Sequence, residues 1–311
     1  MQFRQLGRSG LKVSVVGLGC NNFGGRSDEQ ASVRVIQAAV HCGITLFDTS
    51  DTYGGGKSEE YLGRALKGSR DDVLIATKFG NSMGDSPYME GGSRRYVHRA
   101  VEASLRRLGT EYIDLYQMHI PDPETPIEGT LSALDDLTRA GKIRYVGSSN
   151  FSGWQIADAD WVAQSRGYER FISAQNHYNL LNRDAEREVV PACERFDIGI
   201  LPFFPLASGM LTGKYHRNEE PPEGTRLAGS PRARERYFSD AGWDKVQKLT
   251  DFAEQRDLSL LQIAIGWLAA QPQISSVIAG ATKPEQVEAN VRAAEWVPSE
   301  EDLAEIDRIT A

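Results

Sequence analysis

Four polar residues, Asp48, Tyr53, Lys78 and His119, stand where short apolar runs end or just beyond. Thr45-Leu46-Phe47 precedes Asp48, Val73 to Thr77 precedes Lys78, and Ile113 to Met118 precedes His119; Tyr53 follows in the loop after Asp48. Each run reads as a strand. In a barrel of parallel strands the C-terminal strand ends converge on one face, and that face holds the active site. An acid, a phenol, an ammonium and an imidazole would then share one pocket, a set suited to proton donation to a carbonyl. Hydride arriving at the carbonyl carbon leaves charge on oxygen, and a positioned acid that neutralises it contributes roughly 10²–10⁴-fold. Tyr53 is the candidate acid. A free phenol, with a pKa of about 10, is a weak one. A cation ~4 Å away contributes at most roughly 4 kcal/mol at an effective dielectric of 20, against about 1.4 kcal/mol per pKa unit. Lys78 is therefore expected to bring Tyr53 toward neutrality. Asp48 is expected to hold Lys78 in place and charged, and His119 to orient the carbonyl and share its developing charge. Taken singly, each has a plainer explanation: packing for the tyrosine, a helix cap for the aspartate, a satisfied polar group for the histidine.

The elements that must position these residues alternate along the chain. Phe3 to Leu6 and Leu11 to Val13 flank Gly7-Arg8-Ser9-Gly10 and read as a β-hairpin. Strands are predicted at Val13 to Leu18, Leu46-Phe47, Val73 to Ala76, Ile113 to Met118, Ile143 to Val146, Phe171 to Ala174, Ile198 to Phe204 and Ser276 to Ile278. Helices are predicted between them, at Asp28 to His41, Glu59 to Leu66, Tyr96 to Leu108, Ile127 to Ala140, Trp154 to Ala163 and Ala185 to Phe196. Such alternation predicts an α/β fold with a parallel sheet and crossover helices. The segment from His216 to Gly242, rich in Pro, Gly and charge, breaks the rhythm and reads as a long functional loop. Two helices follow, Trp243 to Gln255 and Leu260 to Ala270, the second opened by a Ser259/Gln262 capping box; Ser299 with Asp302 opens a last short helix in the same way. An open doubly wound sheet shares the alternation. Gly17-Leu18-Gly19-Cys20-Asn21-Asn22 argues against it, since Asn stands where the dinucleotide fingerprint needs its third glycine.

The 311 residues suit one β/α barrel, residues 1–311 as a single domain. A formal charge of −8 argues against general nucleic-acid binding but permits a local basic pocket. Cys20, Cys42 and Cys193 are widely spaced and form no C-x-x-C, so no metal site and a reducing compartment are expected. No signal-peptide apolar core opens the chain, and no stretch approaches the ~20 apolar residues of a membrane span, so a cytoplasmic protein is expected.

Five ordered motifs carry a family resemblance. Gly43 to Gly54 (G-I-T-L-F-D-T-S-D-T-Y-G) resembles the first signature of the aldo-keto reductases. Leu74 to Gly80, Asp114 to His119, Ile143 to Phe151 and Ala279 to Asn290 match in order, so the resemblance spans nearly the whole chain. It implies a (β/α)8 TIM barrel with an N-terminal β-hairpin closing the base and a long loop covering the cofactor. It also implies NADPH-dependent reduction of an aldehyde or ketone without a metal, with Asp48, Tyr53, Lys78 and His119 as the catalytic set. Asp48 is also counted with the cofactor-binding residues. Residue by residue, Ser149, Asn150 and Gln175 match positions that hydrogen-bond the nicotinamide carboxamide, and Phe203 the position that stacks on the ring. Phe204 departs from the small residue common there. Pro205, Leu206, Ala207, Ser208 and Lys214 match the loop over the pyrophosphate, and Arg226 a lid residue. Gly280, Thr282, Lys283, Gln286 and Asn290 match the adenosine end. There Pro284 suits a helix start whose positive end would take the 2′-phosphate, so Lys283 favours NADPH over NADH. Gly19, Cys20 and Asn21 match a loop beside the cofactor.

Two other classes share the barrel. One is a regulatory subunit resembling the potassium-channel β subunits, which commonly lack the imidazole that His119 supplies. The other is a Schiff-base lyase with Lys78 as nucleophile, which the expected Asp48 pairing disfavours. Substrate selection is assigned to loops 81–92 and 122–125 and the long loop, with Met83, Tyr88, Met89 and Trp154 expected at the mouth. The short C-terminus, ending on a helix, suggests a wide one.

Overall fold

The computed structural model describes residues 1–311, apart from the side chains of residues 232 and 233. Strands β1 (Phe3–Gln5) and β2 (Lys12–Ser14) pair antiparallel as the expected hairpin. Eight parallel strands follow: β3 (Val16–Gly19), β4 (Leu46–Asp48), β5 (Leu74–Phe79), β6 (Ile113–Met118), β7 (Ile143–Ser149), β8 (Ser173–Gln175), β9 (Gly199–Ile200) and β10 (Val277–Gly280). They lie in chain order, with β10 returning to pair with β3. At the other edge β9 reaches the segment leading into β10: Ile200 N–H donates to Gln273 O at 2.8 Å, and Ser275 N–H to Ile200 O at 3.0 Å. The sheet thus closes as a (β/α)8 barrel.

The crossover helices are α1 (Glu29–His41), α2 (Lys57–Ala65), α3 (Arg94–Leu108), α4 (Ile127–Arg139), α5 (Gly153–Arg166) and α6 (Val189–Phe196). After β9 come α7 (Pro231–Tyr237), α8 (Asp240–Glu254) and α9 (Leu260–Ala270); α10 (Pro284–Ala293) and α11 (Glu300–Thr310) follow β10. Local chemistry sets their starts. Asp28 accepts from Ala31 N–H at 2.8 Å to begin α1, and the Ser259/Gln262 and Ser299/Asp302 capping boxes both form.

Among the described residues there are two apolar cores. The larger lies between the strands and the surrounding helices. The smaller fills the barrel, where Leu46, Ala76, Leu115, Ile172, Leu201 and Ile278 meet Leu6 and Val13 of the hairpin. The hairpin therefore plugs one end of the barrel and leaves the other for chemistry. The plug is tight at Gly7: its φ is +52°, and a Cβ there would lie 2.5 Å from Ile172 O.

The structure departs from the sequence expectations at three elements. β9 is only two residues long, because Pro202 cannot donate to a ladder and Phe204 turns to φ 52°. Helix α6 starts at Val189, since a 3-10 turn over Asp184–Arg187 ends at Glu188, whose φ of −146° is not helical. The segment expected as one long loop contains α7 and the start of α8. Buried Tyr237 and the Arg234 side chain, which donates to Leu227 O at 2.7 Å, hold α7, and Ser239 caps α8. Among the described residues no helix is long and apolar enough to cross a membrane.

Candidate active site

The C-terminal ends of β4, β5 and β6 bring Asp48, Lys78 and His119 to one face of the barrel, and the turn after β4 returns Tyr53 to them. That turn needs glycine: Gly54 has φ +59°, and a Cβ on it would meet Phe23 O at 2.7 Å. Lys78 is fully buried. Its Nζ donates to Asp48 Oδ1 and Oδ2 at 2.8 and 2.9 Å, to Thr49 O at 2.7 Å and to the Tyr53 hydroxyl at 3.4 Å. Burial alone would lower the lysine's pKa, but Asp48 and Tyr53 hold it above its ordinary value. Gln175 Nε2 donates to Asp48 Oδ1 at 2.9 Å and Gln117 Nε2 to the same oxygen at 3.4 Å, so the carboxylate is fixed from several sides.

The Tyr53 and His119 rings meet edge to face, centroids 5.9 Å apart. Burial pushes the Tyr53 pKa up. Lys78 pulls it down, Asp48 pushes it up again, and the result lies above the ordinary phenol value. Lys78 thus acts in the expected sense, but burial outweighs it, and the phenol is not brought toward neutrality here. His119 is pushed down to about 3, first by burial and then by Lys78, so the imidazole is neutral. Its Nδ1 lies 3.1 Å from Ser50 Oγ.

These groups border one end of a cavity of about 900 Å³. Asp48, Tyr53, His119, Ser149, Asn150, Gln175 and Phe203 line that end. Asn150, at φ 60°, donates through Nδ2 to His119 O at 2.9 Å and to Ser149 Oγ at 3.1 Å. His177 stacks on Phe203 with rings 11° from parallel. Phe204, Pro205, Leu206, Ser208 and Lys214 continue the wall, and Gly19, Asn21, Gly280, Thr282, Lys283, Gln286 and Asn290 line it as well, Gly19 beside Asp48 through the β3–β4 register. Of the sequence-identified residues, Lys78 lies beneath Asp48 and Tyr53, while Cys20 and Ala207 are fully buried behind the lining. Burial and Asp48 raise the Cys20 thiol well above its usual pKa.

The segment after β9 carries backbone strain. Phe204, Ala207 and Ser208 have φ of 52°, 47° and 59°, a region such side chains rarely occupy. Gly209, at φ +99°, lets Lys214 fold over it, since a Cβ would meet Lys214 Nζ at 2.8 Å. The unusual Phe204 has a physical role: the Arg226 guanidinium rests over its ring, 5.2 Å from the centroid. From there Arg226 donates to Asn21 Oδ1 and Asn22 Oδ1 at 3.1 and 2.8 Å, and Arg26 donates to Gly224 O at 2.7 Å. The long segment is strapped across the cavity.

Several lining or supporting groups were not singled out in the sequence. Asn22, Arg26 and Gln117 are the main ones. Asn22 follows the Gly19 loop and was within reach of that signal; Gln117 lies inside an apolar strand, where only the register shows that it faces Asp48. Conversely, Met83, Tyr88, Met89 and Trp154 do not border the cavity: Met89 packs on the outer core, and Tyr88 and Trp154 are exposed.

The comparisons with known proteins agree with this architecture. Residues 15–311 match the aldo/keto reductase family. A "Versiconal hemiacetal acetate reductase" of Aspergillus parasiticus is 37% identical over 311 residues, covering 91% of this chain and 90% of that protein. An "L-glyceraldehyde 3-phosphate reductase" of Escherichia coli O157:H7 is 35% identical over 328 residues, covering 99% and 92%. A "Probable voltage-gated potassium channel subunit beta" of Oryza sativa subsp. japonica is 35% identical over 304 residues, covering 96% and 92%. The chain belongs to the aldo/keto reductase family, a family of oxidoreductases.

Proposed function

We propose that residues 1–311 form one NADPH-dependent reductase that converts an aldehyde or ketone to an alcohol, with Tyr53 as general acid. The observation that carries this is the Tyr53 hydroxyl, 3.4 Å from Lys78 Nζ and lining a cavity that four basic side chains also border. The lining suits a nicotinamide dinucleotide. Gln175 commits its Nε2 to Asp48, which leaves Oε1 to accept from a carboxamide. Ser149 Oγ accepts from Asn150, which leaves its hydroxyl proton to donate. Arg26, Lys214, Arg226 and Lys283 border the cavity in a chain of formal charge −8 and form no ion pair among the described residues, a setting for phosphates. Lys283 stands at the start of α10, where the helix's positive end adds to the site.

Ser149, Asn150 and Gln175 would hold the nicotinamide, which when bound would supply hydride for the carbonyl carbon. Tyr53 then delivers its proton to the oxygen. Its raised pKa keeps it protonated at neutral pH, and Lys78 stabilises the phenolate left behind. Neutral His119 orients the carbonyl from the other side. Asp48 keeps Lys78 charged, which disfavours the amine form a Schiff-base mechanism needs.

The test is NADPH oxidation across a panel of aldehydes and ketones, with Tyr53→Phe alongside. Turnover should fall by about 10²–10⁴-fold in the variant while NADPH still quenches tryptophan fluorescence. Full activity in Tyr53→Phe removes the assigned acid. Dinucleotide binding without turnover on any substrate favours the regulatory reading, which the relative named as a channel subunit keeps open.

A further inference from the structure

Behind His119 lies a buried chain of hydrogen-bonding groups that the reaction above does not use. Ser50 is fully buried and Asp51 is 1% exposed. Ser50 Oγ lies 3.1 Å from His119 Nδ1, 3.0 Å from Asp51 Oδ1 and 3.0 Å from Thr52 Oγ1, and it accepts from Thr52 N–H at 3.3 Å. The single Ser50 hydroxyl proton can point to only one of these partners at a time, so its direction is a choice between them. We propose that Asp51 is a positioning residue: through Ser50 it sets which nitrogen of His119 carries the proton, and so whether His119 donates to, or accepts from, the substrate oxygen.

Two arrangements satisfy the chain. With Asp51 protonated, its carboxyl donates to Ser50, Ser50 donates to His119 Nδ1, and the imidazole proton sits on Nε2. With Asp51 ionised, Ser50 donates to the carboxylate, His119 Nδ1–H donates to Ser50, and Nε2 presents a lone pair. The protons balance. Passing from the first state to the second releases one proton at Nε2, as the Ser50 proton moves to Nδ1 and the Asp51 proton moves to Ser50. The imidazole never becomes a cation, which fits its depressed pKa. The first state supports a carbonyl oxygen; the second accepts from an alcohol and suits the reverse reaction.

The surroundings place this choice near neutral pH. Burial and then Glu59 push Asp51 up to about 7, against the hydrogen bond from Ser50 and the charge of Arg107. Glu59, from α2, is tied to Arg107 of α3 at 2.6 Å, so the Arg107 charge acts first on Glu59 and offsets Asp51 only in part. Tyr96 of α3 reaches Asp51 Oδ2 at 3.5 Å, Tyr116 of β6 faces the same group, and Lys78 faces His119.

The tautomer does not depend on the reductase reading, but its catalytic meaning rests on it. The experiment therefore has two arms. In ¹⁵N-labelled protein, with the resonance assigned by its loss in His119→Asn, the imidazole should pass from Nε2–H to Nδ1–H as pH rises through about 7. Asp51→Asn, whose amide donates at every pH, should hold Nε2–H throughout, and Ser50→Ala should uncouple the two groups. In the second arm, kcat for reduction should fall about tenfold per pH unit above the step in the natural protein and stay flat in Asp51→Asn. A merely structural role would lower rates without flattening the profile. One tautomer at every pH, or a step that survives Asp51→Asn, overturns the proposal. A tautomer switch in a protein with no carbonyl turnover would sink the reductase reading and leave the relay standing.

Discussion

Lys78 Nζ lies 2.8 and 2.9 Å from the two Asp48 oxygens but 3.4 Å from the Tyr53 hydroxyl. The lysine is a counterion first and a neighbour of the phenol second. Both partners of this ion pair are buried, so its loss affects the fold as well as the chemistry.

Lys78→Met leaves Asp48 buried without its cation. Breaking such a pair costs about 3–5 kcal/mol, and urea denaturation should show a loss of that size. Asp48→Asn combined with Lys78→Met removes the stranded charge and should recover part of it. Equal losses in the single and double variants would mean that the ion pair is not the cause.

Asp51 links stability to pH. Its pKa is about 7 when folded, against a usual 3.8. Between those values the folded chain holds a proton that the unfolded chain has lost, so this group's contribution falls as pH rises from about 4 to about 7. Asp51→Asn removes the dependence and should gain on the order of 4 kcal/mol over the natural protein at pH 8, relative to their difference at pH 4. Urea midpoints at the two pH values give the comparison; parallel changes in both proteins would contradict the assigned pKa.

Gly63 shows how the site's support is packed. A Cβ there would lie 2.1 Å from Leu108 O at the end of α3. Alanine is the better helix former by about 1 kcal/mol, yet Gly63→Ala should destabilise by about 1–3 kcal/mol, because α2 must move off α3. A higher melting temperature in this variant would show that the helices yield without cost.

Lys283→Ala should weaken NADPH by about tenfold or more, the loss of one hydrogen bond to a charged group, and leave NADH nearly unchanged. Fluorescence titration with each dinucleotide measures this. Equal effects on both would move the 2′-phosphate elsewhere in the cavity.

Much of this protein was determined by the sequence alone. Periodicity and capping are local, so the hairpin, the strand–helix alternation and helices such as Leu260–Ala270 were legible. Asp48, Lys78 and His119 were legible as a group because strand ends share one face in any such barrel. Only the tertiary structure decided the rest. Gln117 faces Asp48 through the β5–β6 register. Arg226 meets Asn21 across 205 positions of chain and rests on a Phe204 that the sequence presented only as a departure. Ser50 and Asp51 read as loop residues until folding set them behind His119. Burial depth also belongs to the fold, and burial is the largest influence on the Tyr53, His119 and Asp51 pKa values. Residue type gives a group its chemistry, but its electrostatic environment comes from neighbours that sequence spacing does not name.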